Sequence, residues 1–105
     1  MTVVYRRCAG LDVHKKSISV CVRIRRARDK FQTETAAFGT FTKDLEHMAE
    51  WLRGHKVQHV AMESTGVYWK PVWNVLEASK GGFQLVLVNP QQVRALPGKK
   101  TDQQD

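Results

Sequence analysis

Four carboxylates stand out by their placement: Asp12, Glu63, Asp102 and Asp105. Asp12 closes an alternating apolar segment, and Glu63 follows a short apolar run, so each falls near the end of a prospective strand. Asp102 and Asp105 are three residues apart and share one face if they lie on a helix. Carboxylates gathered in one place repel each other and need cations. Mg²⁺ or Mn²⁺ suits them, being hard, oxygen-seeking and able to keep waters or phosphate oxygens as further ligands. Two such ions about 4 Å apart can activate an attacking oxygen and stabilise a leaving one in phosphodiester displacement. Each acid also has a plain structural reading. Asp12 can end a strand or cap a turn, and Glu63 can accept hydrogen bonds from Ser64 or Thr65. Asp102 and Asp105 can be first-turn residues that favour a helix dipole.

For the acids to meet, the chain must bring distant segments to one sheet edge. Val3 to Val13 reads as a first strand, with Arg7, Ala9, Leu11 and Val13 on one face and Cys8, Gly10, Asp12 and His14 on the other. Lys15 and Lys16 turn the chain into a second strand with Ile18, Val20, Val22 and Ile24 on its apolar face. So short a connection makes an antiparallel hairpin. A third strand, Phe31 to Phe38, follows a basic turn at Arg26–Lys30. The period then becomes helical: Phe41, Leu45, Met48 and Leu52 form a stripe, Thr42 is the expected cap and Gly54 the stop. Val57 to Met62 is a fourth strand ending at Glu63. A second helix carries Pro71 in its first turn and Val72, Val75, Leu76 and Ser79 inward, and Gly81-Gly82 ends it. Phe83 to Val88 is a fifth strand, apolar enough to expect burial on both faces. Beyond it, Gln91 to Leu96 is a short helix, Pro97 to Lys100 a loop, and Thr101 the cap of a last helix. Three antiparallel strands followed by strand–helix units give an α/β domain with a mixed five-stranded sheet. With the first and fourth strands adjacent and parallel, Asp12 and Glu63 become neighbours, and the last helix can bring Asp102 and Asp105 over them.

Composition narrows the partners. The 105 residues allow one domain, and 42% hydrophobic with 26% charged residues excludes a disordered chain. No apolar run approaches the roughly 20 residues that span a bilayer. MTVVYRRCAG places arginines after its apolar residues, the reverse of a secretory signal, so the expectation is a cytoplasmic protein without a membrane partner. The net charge of +7 lies entirely within residues 1–30, which hold nine basic and two acidic residues; the remainder holds eight of each. Arg23, Arg25, Arg26, Arg28 and Lys30 concentrate it, and such a cluster favours a phosphate backbone. The bland alternative is a solvated strand end. Lys99 and Lys100, with Arg94, can hold a phosphate near the last acids or form a solvated loop. Cys8 and Cys21 are too few for a thiolate zinc site and are expected buried in strands. His55 and His59 are four apart, but Gly54 should end the helix before them. Tyr68, Trp69 and Trp73 can stack on bases, though aromatics at this spacing more often pack in a core.

GLDVHKKSISVCV (Gly10–Val22), MESTGVYWKPVWNVLE (Met62–Glu77) and LVNPQQVRALPGKKTDQQD (Leu87–Asp105) resemble the N-terminal DEDD domain of a large bacterial insertion-sequence transposase family. The resemblance covers nearly the whole chain. GLD with a following histidine is weak alone; ESTG-x-Y-W and NP-x-x-V with KTD-x-x-D are specific. It implies a RuvC-like, ribonuclease-H-like fold over residues 1–105, with D, E, D and D at Asp12, Glu63, Asp102 and Asp105 as catalytic metal ligands. It further implies DNA transposition, a structured guide RNA, a homo-oligomer, and a nucleoid-associated place in the bacterial cytoplasm. Family members also use a serine in a C-terminal transposase domain. That domain is expected to be absent here, so no serine of this chain inherits the role, and the fragment is not expected to recombine DNA alone.

Three other readings remain. One is a junction-type DNA nuclease with the same fold and acids. A second is an actin- or hexokinase-like ATPase, which needs another phosphate loop and a second domain. A third is a non-catalytic nucleic-acid-binding module whose acids are structural.

Overall fold

The computed structural model describes residues 6–88. Three strands, β1 (Arg7–Val13), β2 (Ile18–Ala27) and β3 (Lys30–Phe38), form an antiparallel meander. Then come helix α1 (Thr42–Gly54), strand β4 (His59–Ser64), helix α2 (Trp69–Ala78) and strand β5 (Gln84–Val88). The sheet order is β3-β2-β1-β4-β5, with β1, β4 and β5 mutually parallel. This is the mixed five-stranded α/β sheet expected from the change of period along the chain.

The alternation in β1 and β2 decides which face is covered. Leu11, Val13, Ile18, Val20, Val22 and Ile24 all point to one side and are at most 3% exposed. Val60 and Met62 of β4 join them, and Leu45, Met48 and Leu52 of α1 with Val72 and Leu76 of α2 close the core from above. Each such side chain contributes about 1.5–3 kcal/mol on leaving water. Trp69 and Trp73 pack edge-to-face at 5.8 Å, partly buried against this core, while Tyr68 is exposed.

The start of α1 departs from expectation. Thr42 is the first helical residue and Phe41 precedes the helix; the Phe41 N–H donates to Asp44 Oδ2 at 3.2 Å. Asp44 thus satisfies the amide of the residue before the helix, and the cap position falls on Phe41, one residue earlier than expected. Gly39 makes room for it, because a Cβ there would lie 2.5 Å from Asp44 Oδ2. His55 follows α1 and meets Trp51 in a tilted contact with ring centroids 4.4 Å apart, whereas His59 lies in β4, so the two histidines share no helix face.

Four further expectations change. The basic turn is shorter: Arg26 and Ala27 remain in β2 and Lys30 opens β3, because the antiparallel ladder continues past a bulge between Arg25 and Ala27. Strand β4 begins at His59 rather than Val57 and runs one residue past Glu63, to Ser64. Cys8 is half-buried and Cys21 exposed, since both fall on the sheet face that neither helix covers. Val86 and Leu87 of β5 are 57% and 41% exposed: β5 is an edge strand, and among the described residues helices pack on one face of the sheet only. The expected Gln91–Leu96 helix, the Pro97–Lys100 loop and the helix from Thr101 lie outside the described residues.

Candidate active site

The uncovered sheet face is built in rows set by strand register. At one end stand Ala37, Ser19, Asp12, Glu63 and Val88, read across β3, β2, β1, β4 and β5. The next row is Thr35, Cys21, Gly10, Ala61 and Val86. The third is Thr33, Arg23, Cys8, His59 and Gln84. Acids therefore occupy one end, small residues the middle, and the Arg23 guanidinium begins the other end. The small middle row leaves a shallow trough of about 730 Å³, with Asp12 and Glu63 at its rim.

Asp12 and Glu63 are direct cross-strand partners. Neighbouring strands lie about 4.8 Å apart, so the two carboxylates can reach one cation. Both are exposed, and hydrated oxygen donors of this kind match a hard divalent ion. Asp12 Oδ2 lies 3.0 Å from His14 Nε2, both side chains more than half exposed. The β1–β2 turn holds His14 in place: its N–H donates to Ser17 O at 2.9 Å. Strand alternation had put His14 on the face of Asp12, yet the partnership was not singled out. Ser64 Oγ donates to Thr65 O at 3.2 Å, which removes it from the part of hydrogen-bond donor to Glu63.

Among the described residues no group of three or more His, Cys, Asp or Glu side chains is close enough to hold a metal ion. Asp102 and Asp105, the expected third and fourth acids, lie outside the described residues, as do Lys99 and Lys100. On the cationic side, burial pushes the Cys8 thiol above its ordinary value; Arg23 pulls it down and Cys21 adds to the rise. The Arg23 guanidinium sits over the Phe31 ring, 3.9 Å from its centroid.

Arg25, Arg26, Arg28 and Lys30 are not brought to the acids. Ser19, the β2 partner of Asp12, precedes Arg25 by six residues of strand, about 20 Å at ~3.3 Å per residue. Arg6, which sequence reasoning did not single out, joins this remote cluster through β1–β2 pairing: the Arg25 N–H donates to Arg6 O at 2.8 Å.

The profile of the IS110 DEDD transposase family, described as "Transposase", matches residues 9–105. The chain belongs to that family. No curated protein matches its sequence. Among solved structures, Thermus thermophilus RuvC superposes with a TM-score of 0.60 at 14% identity, covering 84% of this chain and 66% of that one. This member of the family thus spans slightly less than two thirds of that RuvC chain. Thermus thermophilus RuvC in complex with a Holliday junction substrate matches at 0.60 and 17%, over 91% and 73% of the two chains. Fowlpox virus resolvase, solved with Holliday junction DNA, matches at 0.60 and 11%, over 91% and 70%. At such identities the likeness shows the fold, which is RuvC-like and hence ribonuclease-H-like. The same sheet recurs in an Aquifex aeolicus Ppx/GppA enzyme (TM-score 0.51, 15% identity, 82% of this chain and 36% of that one). Among the described residues no helix is long and apolar enough to cross a membrane.

Proposed function

We propose that this chain is the divalent-metal-dependent catalytic domain of a DNA transposase or recombinase that acts on DNA phosphodiesters. One observation carries the reading: Asp12 and Glu63, fifty-one positions apart in sequence, are register partners on parallel strands β1 and β4. Asp12 and Glu63 would hold the metal jointly, and Asp102 and Asp105 would complete the donor set. Asp12 supplies an oxygen whose orientation is fixed by His14 when the ion is absent. Glu63 supplies the opposing oxygen from the neighbouring strand. One or two Mg²⁺ or Mn²⁺ ions held there would supply activation of the attacking oxygen and stabilisation of the leaving one. The exposure of both carboxylates lets a phosphodiester approach without displacing core.

Arg23, Arg25, Arg26, Arg28, Lys30, Lys99 and Lys100 contribute contacts to the nucleic-acid backbone. A structured guide RNA and a homo-oligomer belong to the longer protein, and the cytoplasm is its compartment; these three rest on the family likeness. Mn²⁺ titrated into the isotopically labelled chain tests the metal site. Paramagnetic broadening should centre on the amides around Asp12 and Glu63 and vanish in Asp12→Asn and Glu63→Gln. Broadening that ignores both substitutions refutes the site.

A second reading is a junction-type nuclease, favoured by the likeness to two folds solved with Holliday junction DNA. Divalent-dependent cleavage of a four-way junction without any RNA would select it over transposition.

A further inference from the structure

We infer that Arg6, Arg25, Arg26 and Arg28 form a separate anchoring site for a nucleic-acid phosphate, at the end of the sheet away from the acids. The four side chains line a cavity of about 500 Å³ together with Ala27 and no acidic residue. Two of them are held in place by the fold. Arg25 donates from Nε to Ala27 O at 3.4 Å and from a terminal nitrogen to Arg28 O at 3.2 Å, across the β2–β3 turn. Arg26 donates from Nε to Gln32 Oε1 at 2.8 Å, and Gln32 Nε2 donates in turn to Glu34 Oε2 at 2.6 Å. The Glu34 carboxylate thus reaches Arg26 only through a neutral amide.

Among the described residues no carboxylate forms an ion pair with any of the four guanidiniums, Asp29 of the same turn included. Four like charges around one cavity repel each other, and no carboxylate at the cavity offsets that repulsion. A multiply charged anion removes that repulsion, and the planar donor forks of arginine fit phosphate oxygens in pairs. The bonds already made by Arg25 and Arg26 orient their guanidiniums in advance and leave further N–H groups free.

Distance assigns the role. Some 20 Å of strand separates the cluster from the row of Asp12 and Glu63, so the phosphate held here is not the one that reacts. Along a duplex at about 3.4 Å per step, this span corresponds to roughly six base pairs. The cluster therefore fixes where a duplex lies relative to the acids. This inference rests on the reading of the chain as a nucleic-acid-binding domain, not on the catalytic role of Asp12 and Glu63.

The test compares the chain with the double variant Arg6→Gln/Arg28→Gln, both exposed positions whose side chains tie no strand together. Binding to a 20-base-pair DNA duplex and to an RNA hairpin is followed by fluorescence anisotropy over a series of salt concentrations. The slope of log K against log salt should fall by about 2, one unit for each lost phosphate contact. Affinity at low salt should drop roughly tenfold or more. The charge-matched Lys43→Gln/Lys70→Gln variant, altered on the helices, should bind within about threefold of the original and keep its slope. Loss with both nucleic acids marks a shared backbone contact, and loss with one identifies its source. A loss no larger than that of the lysine variant overturns the anchoring site.

Discussion

The two faces of the sheet follow the same strands yet obey different rules. On the covered face, Leu11, Val13, Ile18, Val20, Val22 and Met62 pack against two helices and are almost wholly removed from water. On the other, a single step along each strand, stand Asp12, Ser19, Cys21, Ala61 and Glu63, small or charged and mostly exposed. Because side chains alternate across a strand, both sets are fixed by one register. The first set supplies the stability that keeps the second in place. A slip of one residue between β1 and β4 would bury Asp12 and separate it from Glu63, at the cost of the whole core.

The sharpest contrast lies between two adjacent residues of β4. Met62 is fully buried, so Met62→Ala should lower the unfolding free energy by about 2–5 kcal/mol. Glu63→Gln, one position on, should move it by no more than ~0.5 kcal/mol. Urea denaturation of the two variants reads both values. Comparable losses would mean that Glu63 is part of the scaffold rather than of a site set upon it.

Thiol chemistry compares positions on the open face itself. Cys21 is exposed, whereas Cys8 is half-buried and its thiol is held above the ordinary range chiefly by that burial. Iodoacetamide at pH 8 should modify Cys21 first, on the order of tenfold faster, because only the thiolate attacks. Arg23→Gln removes the one influence that favours the Cys8 thiolate and should widen the gap. The same shift has a sign in stability. Folding favours the neutral Cys8 thiol, so its contribution is complete below its unfolded value and is lost as the pH rises through the higher folded one. Mass spectrometry of the peptides gives the order of modification. Equal rates would mean that the face is uniformly open at both positions.

Much of this arrangement was legible in the chain. Alternation from Arg7 to Ile24 gave both faces of the hairpin, and the helical stripe Leu45, Met48 and Leu52 gave the layer above them. The expected parallel neighbours, Asp12 and Glu63, are register partners. What sequence could not supply was whether both faces would be covered. Continuous apolarity in β5 suggested burial on two sides, but an edge strand with helices on one face leaves Val86 and Leu87 in contact with water. Cys8 and Cys21 were misplaced for the same reason. Local geometry also overrode a propensity at the start of α1, where the cap position falls on Phe41 rather than Thr42 and Asp44 accepts the Phe41 N–H. The linear clustering of arginines signalled a basic patch but not its distance from the acids, since that depends on which end of β2 pairs with which end of β1. Arg6 was counted in the basic segment, but its place beside Arg25 shows only in that pairing.

The smallest effect concerns Gly10, in the floor of the trough. It lies in the central strand β1, between Cys21 of β2 and Ala61 of β4, where a glycine weakens a strand for want of a side chain. No atom lies within 4 Å of where its Cβ would be, and its backbone is not in the left-handed region, so alanine fits without strain. Gly10→Ala should therefore raise the unfolding free energy by about 0.4–1 kcal/mol, mainly by restricting the unfolded chain. Thermal unfolding of the two proteins measures this. A gain would mean that the fold alone does not require the bare floor, and that the smoothness of this face belongs to its use. A loss would show that the described face is closed by something that touches Gly10, and the contrast between covered and open faces would then have to be redrawn.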